Sequence, residues 1–157
     1  NEDFQKLVEL HNNVDKADER DELASGLTSA KQPKHYKELL SMMKSEHVKR
    51  QDFFHWFAYL LRNRYSRQAT WDWIIENWDW YVKDFGTDKN FDYIARMPGS
   101  VFSTKKEQKQ FDEFFGSKKS INSLIHNIGL AEQEIASRVA WRERNEKSVK
   151  RWLKDSK

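Results

Sequence analysis

Residues 70–85 read TWDWIIENWDWYVKDF and contain four of the seven tryptophans in a chain of 157 residues. Gly86 follows the stretch directly, and a glycine just past the last turn is a common end of a helix. The stretch therefore predicts one continuous α-helix. A helix so rich in indole, within a chain in which 34% of residues are charged, needs a partner for its apolar surface.

At 100° per residue, the apolar side chains of this predicted helix fall on two opposite sides. One narrow face combines Trp71, Ile75, Trp78, Val82 and Phe85. Trp73 and Trp80, seven residues apart, point almost the opposite way. Because a surface helix needs only one apolar face, three interpretations stay open: an inner helix of a stacked helical array, docking of the second face on another domain, or an aromatic cage for a ligand. We predict that these four tryptophans and Phe57 belong to the structural core.

The remaining segments repeat the helical period, and none alternates as a strand does. Predicted helix starts are Pro33 in a first turn, Asp52 and Ser66 as N-caps, and Ser103 or Thr104 with Glu107 as a capping box. A break is predicted near Asn145, before the last helix. These patterns predict an all-α fold of about nine helices in a single domain, residues 1–157, built from stacked antiparallel helix pairs like a HEAT or armadillo superhelix.

Charge and composition exclude or disfavour several classes of function. The 28 basic and 25 acidic residues are interleaved for most of the length, which is typical of solvated helical faces and disfavours a nucleic-acid or membrane binder. The absence of cysteine excludes thiol catalysis, disulfides and cysteine-based zinc sites, and it is compatible with a reducing cytoplasm. We therefore predict a cytoplasmic protein that binds neither nucleic acid nor membrane.

No catalytic pattern is present in the chain. The five histidines include no His-Glu-x-x-His, and neither a phosphate-binding glycine loop nor a Gly-x-Ser-x-Gly elbow occurs. Carboxylates are numerous but scattered over solvated faces, so no acid/base pair stands out. The sequence predicts a non-catalytic module without a metal or cofactor site of its own.

The segment LLRNRYSRQATWDWIIENWDWYVKDF, residues 60–85, resembles a recurrent segment of the M1 family of zinc aminopeptidases. It falls in their C-terminal helical domain, of the kind named after the endoplasmic-reticulum aminopeptidase. The matching positions are Asn63, Arg67, Ala69-Thr70-Trp71-Asp72-Trp73 and Asn77-Trp78. Ser66 and Trp73 depart from the family pattern, which usually has Gly and Phe there. The segments 20–54, 101–115 and 125–153 also resemble family segments, in the same order.

The resemblance implies that the chain is the C-terminal half to two thirds of the helical domain of a longer enzyme, and we interpret the start at Asn1 in the same way. The parent would remove N-terminal residues from peptides with a zinc-activated water. Zinc and the catalytic residues would lie outside this chain. Its partners would be the catalytic domain of the same polypeptide and peptide substrates, since the helical domain closes over the active-site chamber and controls access.

The resemblance also implies a peptide-binding role for two arginines. Arg62 matches a position where some members place an arginine that meets the carboxylate end of a peptide, and Arg67 is the second candidate. The alternative for Arg62 is an exposed side chain on a solvated turn. A second basic position of some members falls near Ser29 and Ala30, which are not basic. The alternative for the whole chain is a free-standing helical-repeat adaptor that binds a protein partner.

Overall fold

The structure is a computed structural model that describes residues 2–155, and these residues form α-helices and 3₁₀ turns without a β-strand. The helices of this part of the chain are α1 (Glu2–Asn13), α2 (Ala17–Thr28), α3 (Pro33–Met42), α4 (Phe53–Arg62), α5 (Arg67–Glu76), α6 (Trp78–Phe85), α7 (Tyr93–Arg96), α8 (Lys105–Gly116) and α9 (Asn122–Asp155). Three 3₁₀ turns lie at Arg50–Asp52, Met97–Ser100 and Ser117–Ser120. The predicted all-α class is confirmed.

The chain divides into two compact units between Asp84 and Phe85. In the first unit, α2 packs against α1, α3 and α4, and α5 packs against α3 and α4. In the second unit, α9 packs against α7, α8 and the two 3₁₀ turns that flank α8. Fully buried side chains occur in both units, so each has a core of its own.

Helix α4 supplies the centre of the first unit. Trp56, Phe57 and Leu60 are fully buried, because they recur at helical spacing on the face that meets α2 and α5. Phe53, in the first turn, has aromatic neighbours at ring-centroid distances of 5.6–6.4 Å, among them Phe54, Phe57, Trp73, Trp80 and Tyr81. Stacked and edge-on contacts at these distances are favourable beyond the area they bury. Trp73 and Trp80 therefore pack against Phe53 while remaining partly exposed to solvent.

The tryptophan stretch is not the single helix that its sequence predicts. It breaks at Asn77, which has φ −108° and ψ 19°. The Nδ2 of Asn77 donates to the carbonyl oxygen of Trp73 at 2.7 Å, and its Oδ1 accepts from Lys44 Nζ at 2.9 Å. The backbone N–H of Asn77 still donates to the carbonyl oxygen of Trp73 at 3.0 Å, but its φ and ψ leave the helical region and α5 ends there. The prediction of one continuous helix is wrong at this residue.

Burial in the stretch differs from the predicted face. The buried residues of the stretch are Thr70, Trp71, Ile74, Tyr81 and Phe85. Ile75 and Val82, which the helical wheel places on the same side as Trp71, are 39% and 37% exposed. For Val82, which follows the break at Asn77, the angular count from Trp71 no longer applies. Among the other predicted core residues, Phe57 is fully buried and Trp73, Trp78 and Trp80 are partly exposed.

The side chains of two predicted N-cap residues form hydrogen bonds with groups outside the helix that follows them. Asp52 and Ser66 precede α4 and α5, but neither side chain caps the helix that follows. The carboxylate of Asp52 accepts from Arg20 Nε at 2.6 Å, and Arg20 is only 3% exposed. A buried guanidinium requires a paired carboxylate, so this long-range partner displaces the local one. The capping predictions at these two positions are wrong, whereas the capping box of Thr104 with Glu107 is confirmed.

Helix α9 is continuous over 34 residues, so the predicted break near Asn145 is wrong. The Nδ2 of Asn145 donates to the carbonyl oxygen of Trp141 at 2.7 Å, one turn earlier in the same helix. Arg96 pairs with Glu134 through Nη1 and Nη2, the two terminal guanidinium nitrogens, which fastens α7 to the first half of α9. Neither α9 nor any other helix within residues 2–155 is long and apolar enough to cross a membrane.

Candidate functional site

A pocket of about 320 Å³ lies in the first unit, where the C-terminal ends of α2 and α4 meet. Its lining residues are Ser25, Thr28, Ser29, Lys31, Tyr59, Arg62, Asn63 and Tyr65. The last carbonyl groups of a helix have no partner within the helix and carry partial negative charge. Two such ends can lie side by side only if hydrogen-bond donors are placed between them.

Asn63 supplies these donors. Its Nδ2 donates to the carbonyl oxygens of Thr28 and Ala30 at 2.9 and 2.8 Å, and its Oδ1 accepts from the N–H of Tyr65 at 3.0 Å. The N–H of Asn63 itself donates to the carbonyl oxygen of Tyr59 at 3.0 Å. An amide side chain offers both donors and an acceptor, whereas an aspartate of the same shape has no N–H to donate. Asn63 therefore ties the end of α2 to the turn that follows α4.

The turn between α4 and α5 is fastened to the end of α4 by two more side chains. Ser66 Oγ, which is buried, donates to the carbonyl oxygen of Leu60 at 2.6 Å. Arg67 donates from Nε to the carbonyl oxygen of Leu61 at 3.1 Å and from Nη2 to that of Arg62 at 3.2 Å. The guanidinium of Arg67 thus caps α4 and does not line the pocket. Of the two predicted peptide-binding residues, only Arg62 is brought to the pocket.

Lys31 is the second cation of the pocket. Both Arg62 and Lys31 are exposed and line the same cavity. The second basic position that the family resemblance implies falls near Ser29 and Ala30, and Lys31 follows directly. The signal that could have identified it is a lysine just past the end of a helix, where a cation is favoured by the helix dipole.

Two tyrosines form the aromatic part of the pocket. The hydroxyl of Tyr59 donates to one carboxylate oxygen of Asp21 at 3.0 Å, and the other oxygen lies 2.9 Å from Nδ1 of His55. Burial, followed by the hydrogen bond with Asp21, raises the pKa of Tyr59. The hydroxyl of Tyr65 accepts from Arg64 Nη2 at 2.6 Å, and this bond lowers the pKa of Tyr65. Tyr59 is therefore a neutral and orientated side chain, and sequence reasoning identified neither tyrosine.

These groups suit the recognition of an anion. Two exposed cations face a cavity walled by aromatic rings, and the planar fork of Arg62 matches the two oxygens of a carboxylate. The helix carbonyls that would repel an anion are occupied by donors from Asn63. Within residues 2–155, no group of three histidine, aspartate or glutamate side chains is placed to hold a metal ion.

Comparison with known proteins covers the same region. The family model described as "ERAP1-like C-terminal domain" matches residues 1–135. The aminopeptidase N of Lactobacillus helveticus is 33% identical over 135 residues, which are 85% of this chain and 16% of that protein. The aminopeptidase N of Lactococcus lactis subsp. cremoris (strain MG1363) is 36% identical over 121 residues, 76% of this chain and 14% of that protein. The glutamyl aminopeptidase of Mus musculus is 26% identical over 149 residues, 93% of this chain and 16% of that protein.

The aligned part of the chain thus spans 14–16% of the length of these curated relatives. The family match includes the first unit with its pocket and extends into α9. It agrees with the resemblance drawn from the turn after Asn63 and from the tryptophan stretch. The chain therefore belongs to the family of ERAP1-like C-terminal domains.

Proposed function

We propose that this chain is the non-catalytic C-terminal helical module of an M1 zinc aminopeptidase that removes N-terminal amino acids from peptides. The observation that carries the proposal is the family match over residues 1–135, and the relatives named aminopeptidase N and glutamyl aminopeptidase support it. Because those relatives are several times longer than the aligned stretch, the catalytic residues would lie elsewhere in the parent polypeptide. Zinc bound there would supply an activated water as the nucleophile.

The module would cap the active-site chamber against the catalytic domain of the same polypeptide and control which peptides enter. Stacking of its helix pairs into a HEAT- or armadillo-like superhelix would give the curved wall that such a cap requires. The first test is to sequence the reading frame upstream of Asn1. A His-Glu-x-x-His motif with a further glutamate downstream supports the proposal, whereas a start codon close to Asn1 would favour the free-standing adaptor.

Within this module, we propose that the pocket at the ends of α2 and α4 binds the C-terminal carboxylate of a peptide substrate. Arg62 would make the paired hydrogen bonds, and Lys31 would add a second positive charge beside it. Peptides long enough to reach from the catalytic site to this pocket would gain affinity, and short ones would not. The pocket would thereby contribute to length preference without taking part in chemistry.

The test uses the full-length enzyme with Arg62→Ala, Lys31→Ala and the double variant. Each substrate is compared as a free C-terminal acid and as the amide, because the amide removes the charge and changes little else. We expect KM for long free-acid peptides to rise roughly three- to tenfold in each single variant, since the lost bonds are charged but solvent-exposed. Amides and dipeptide-like substrates should be unaffected.

Lys34→Ala is the matched control, because Lys34 is an exposed lysine three residues further along that does not line the pocket. Arg62→Lys keeps the charge but loses the fork, so it should restore only part of the effect. Equal losses with acids and amides would refute the carboxylate role. They would leave Arg62 with no role beyond that of a cation in the last turn of α4.

A further inference from the structure

The second half of α9 leaves an apolar surface exposed. The buried residues of this helix end at Val139, and none of residues 140–155 is buried. At 1.5 Å per residue, this exposed segment is about 24 Å long. It lies beyond the part of the chain that the family model matches.

The exposed apolar side chains continue the face of α9 that is buried further back. They are Trp141, Val149, Trp152 and Leu153, and they are 44–66% exposed. At 100° per residue these four residues lie within about 120° of one another. Leu124, Ala131 and Ile135 fall in the same arc and are fully buried in the second unit. One continuous face is therefore covered over its first half and open over its second half.

A groove of about 440 Å³ lies along the open half. Its surface is mostly apolar and includes Trp141 and Val149, and Ser103, which precedes α8, closes one side. The ion pair between Lys105 and Glu143, at 2.6 Å, holds the start of α8 against α9 at this level. The groove thus runs along α9, with the segment before α8 at its side.

Positive charge surrounds the groove. Residues 138–155 contain seven lysines and arginines and three acidic residues, a net charge of +4, whereas the whole chain has a net charge of +3. Arg138, Arg142 and Lys150 line the groove itself. Its one lining carboxylate, Glu146, pairs with Lys150 at 2.7 Å and with Arg142 at 3.9 Å, and Arg138 pairs with Glu134 at 3.6 Å. The charged residues that line the groove nevertheless sum to +2. The occupant that complements this surface is acidic as well as apolar.

We propose that this surface, the terminal face of α9 (Trp141, Val149, Trp152 and Leu153 with Arg138, Arg142 and Lys150), binds an acidic amphipathic helix from another part of the same polypeptide. A helix fits a groove of this kind by inserting apolar residues at i, i+4 and i+7, and its carboxylates then meet the flanking cations. The inference rests on the proposed function in one respect, that the chain is part of a longer protein.

Two other occupants fit less well. A lipid surface would have to bury the carboxylate of Glu146, which lines the groove, in hydrocarbon. A second copy of the chain, docked through the same face, would bring two segments of net charge +4 together. The continuity of this face with the buried face of α9 favours a covering element of the same kind, which is a helix.

The test is hydroxyl-radical footprinting of Trp141 and Trp152, read by mass spectrometry in the full-length protein and in the 157-residue chain. We expect Trp141 to be modified about fivefold more slowly in the full-length protein, as its exposure falls from 59% to that of a desolvated interface residue. Val149→Glu places a carboxylate within the open face and should restore fast modification. Lys147→Glu, on the opposite side of α9, is the matched control and should not.

A carbodiimide cross-link from Lys150 to an aspartate or glutamate outside residues 1–157 would identify the acidic helix. Equal modification of Trp141 in both proteins would overturn the inference. Two other results would also overturn it. One is protection of Trp141 in the 157-residue chain that increases with protein concentration, which would indicate a second copy. The other is protection that appears only with phosphatidylserine vesicles. Peptide hydrolysis is measured on the same samples: an active protein without the footprint refutes this inference alone, and an inactive protein with the footprint refutes only the proposed function.

Discussion

Replacing Asn63 with alanine should destabilise the first unit more than any other single change of an exposed or half-buried polar side chain in the turn. The substitution removes three hydrogen bonds and deprives the carbonyl oxygens of Thr28 and Ala30 of the donor that they share. At about 1 kcal/mol per bond the loss would be about 3 kcal/mol. Because Asn63 is only half-buried, water can replace part of the lost hydrogen bonding. We therefore expect the free energy of unfolding to fall by about 1.5–3 kcal/mol.

The loss is measured by urea unfolding at pH 7, followed by tryptophan fluorescence. Five of the seven tryptophans lie in the first unit, so this signal reports mainly on the unit that contains Asn63. Asn145→Ala is the matched control, because its amide makes one bond to a carbonyl of its own helix on an exposed surface. That variant should change the free energy of unfolding by less than about 0.5 kcal/mol.

Asn63→Asp sharpens the test. The shape is kept, but a carboxylate oxygen replaces the donor nitrogen beside two carbonyl oxygens, so the variant should be less stable than Asn63→Ala at pH 7. The carbonyl oxygens would raise the folded-state pKa of the new carboxyl group above its ordinary value, so the deficit should shrink as the pH falls toward about 4, where the protonated acid regains a donor. If Asn63→Ala and Asn145→Ala have equal stability losses, then Asn63 does not hold the two helix ends together.

Two further predictions concern stability. A Cβ at Gly99 would lie 2.9 Å from Cα of Ala131, so Gly99→Ala should lower the free energy of unfolding by about 1–3 kcal/mol. A Cβ at Gly116 would have nothing within 4 Å, so Gly116→Ala should raise the free energy of unfolding by about 0.4–1 kcal/mol. Thermal unfolding of both variants checks the sign of the change at each site. Burial lowers the pKa of His11, so the unfolded chain takes up the proton first and stability should fall as the pH drops from about 6.5 through the lower folded-state pKa. His11→Phe should flatten that part of the pH profile, and an unchanged slope in this variant would contradict the assignment.

The helices themselves were predictable because their signals are local. Pro33 begins α3 and Thr104 with Glu107 begins α8, as the sequence indicates, since each signal acts within one turn of backbone. Asp52 carries an equally good local signal, but its carboxylate bonds to Arg20, 32 residues away. A side chain with both a local and a distant partner cannot be assigned from its neighbours alone.

The residues of the candidate pocket also divide into those that the sequence indicated and those that only the structure identified. Arg62 was accessible to sequence reasoning because it belongs to a recurrent motif. Lys31 and the tyrosines at 59 and 65 were not, because they join the pocket only when Asn63 brings the end of α2 to the end of α4. Arg67, from the same motif, bonds to two backbone carbonyl oxygens and caps α4.

The sequence by itself determined that this chain is helical, where most helices begin, and to which family it belongs, because periodicity, capping and motif order are written in neighbouring residues. Only the tertiary structure decided the break at Asn77, the unbroken course of α9, and which tryptophans are buried. Burial of the tryptophans depends on contacts from distant parts of the chain, and at Asp52 such a contact replaces the predicted local cap. A local hydrogen bond and a hydrogen bond to a distant residue have similar energies, about 1 kcal/mol each. Which of them forms therefore depends on the partners that the tertiary structure brings near.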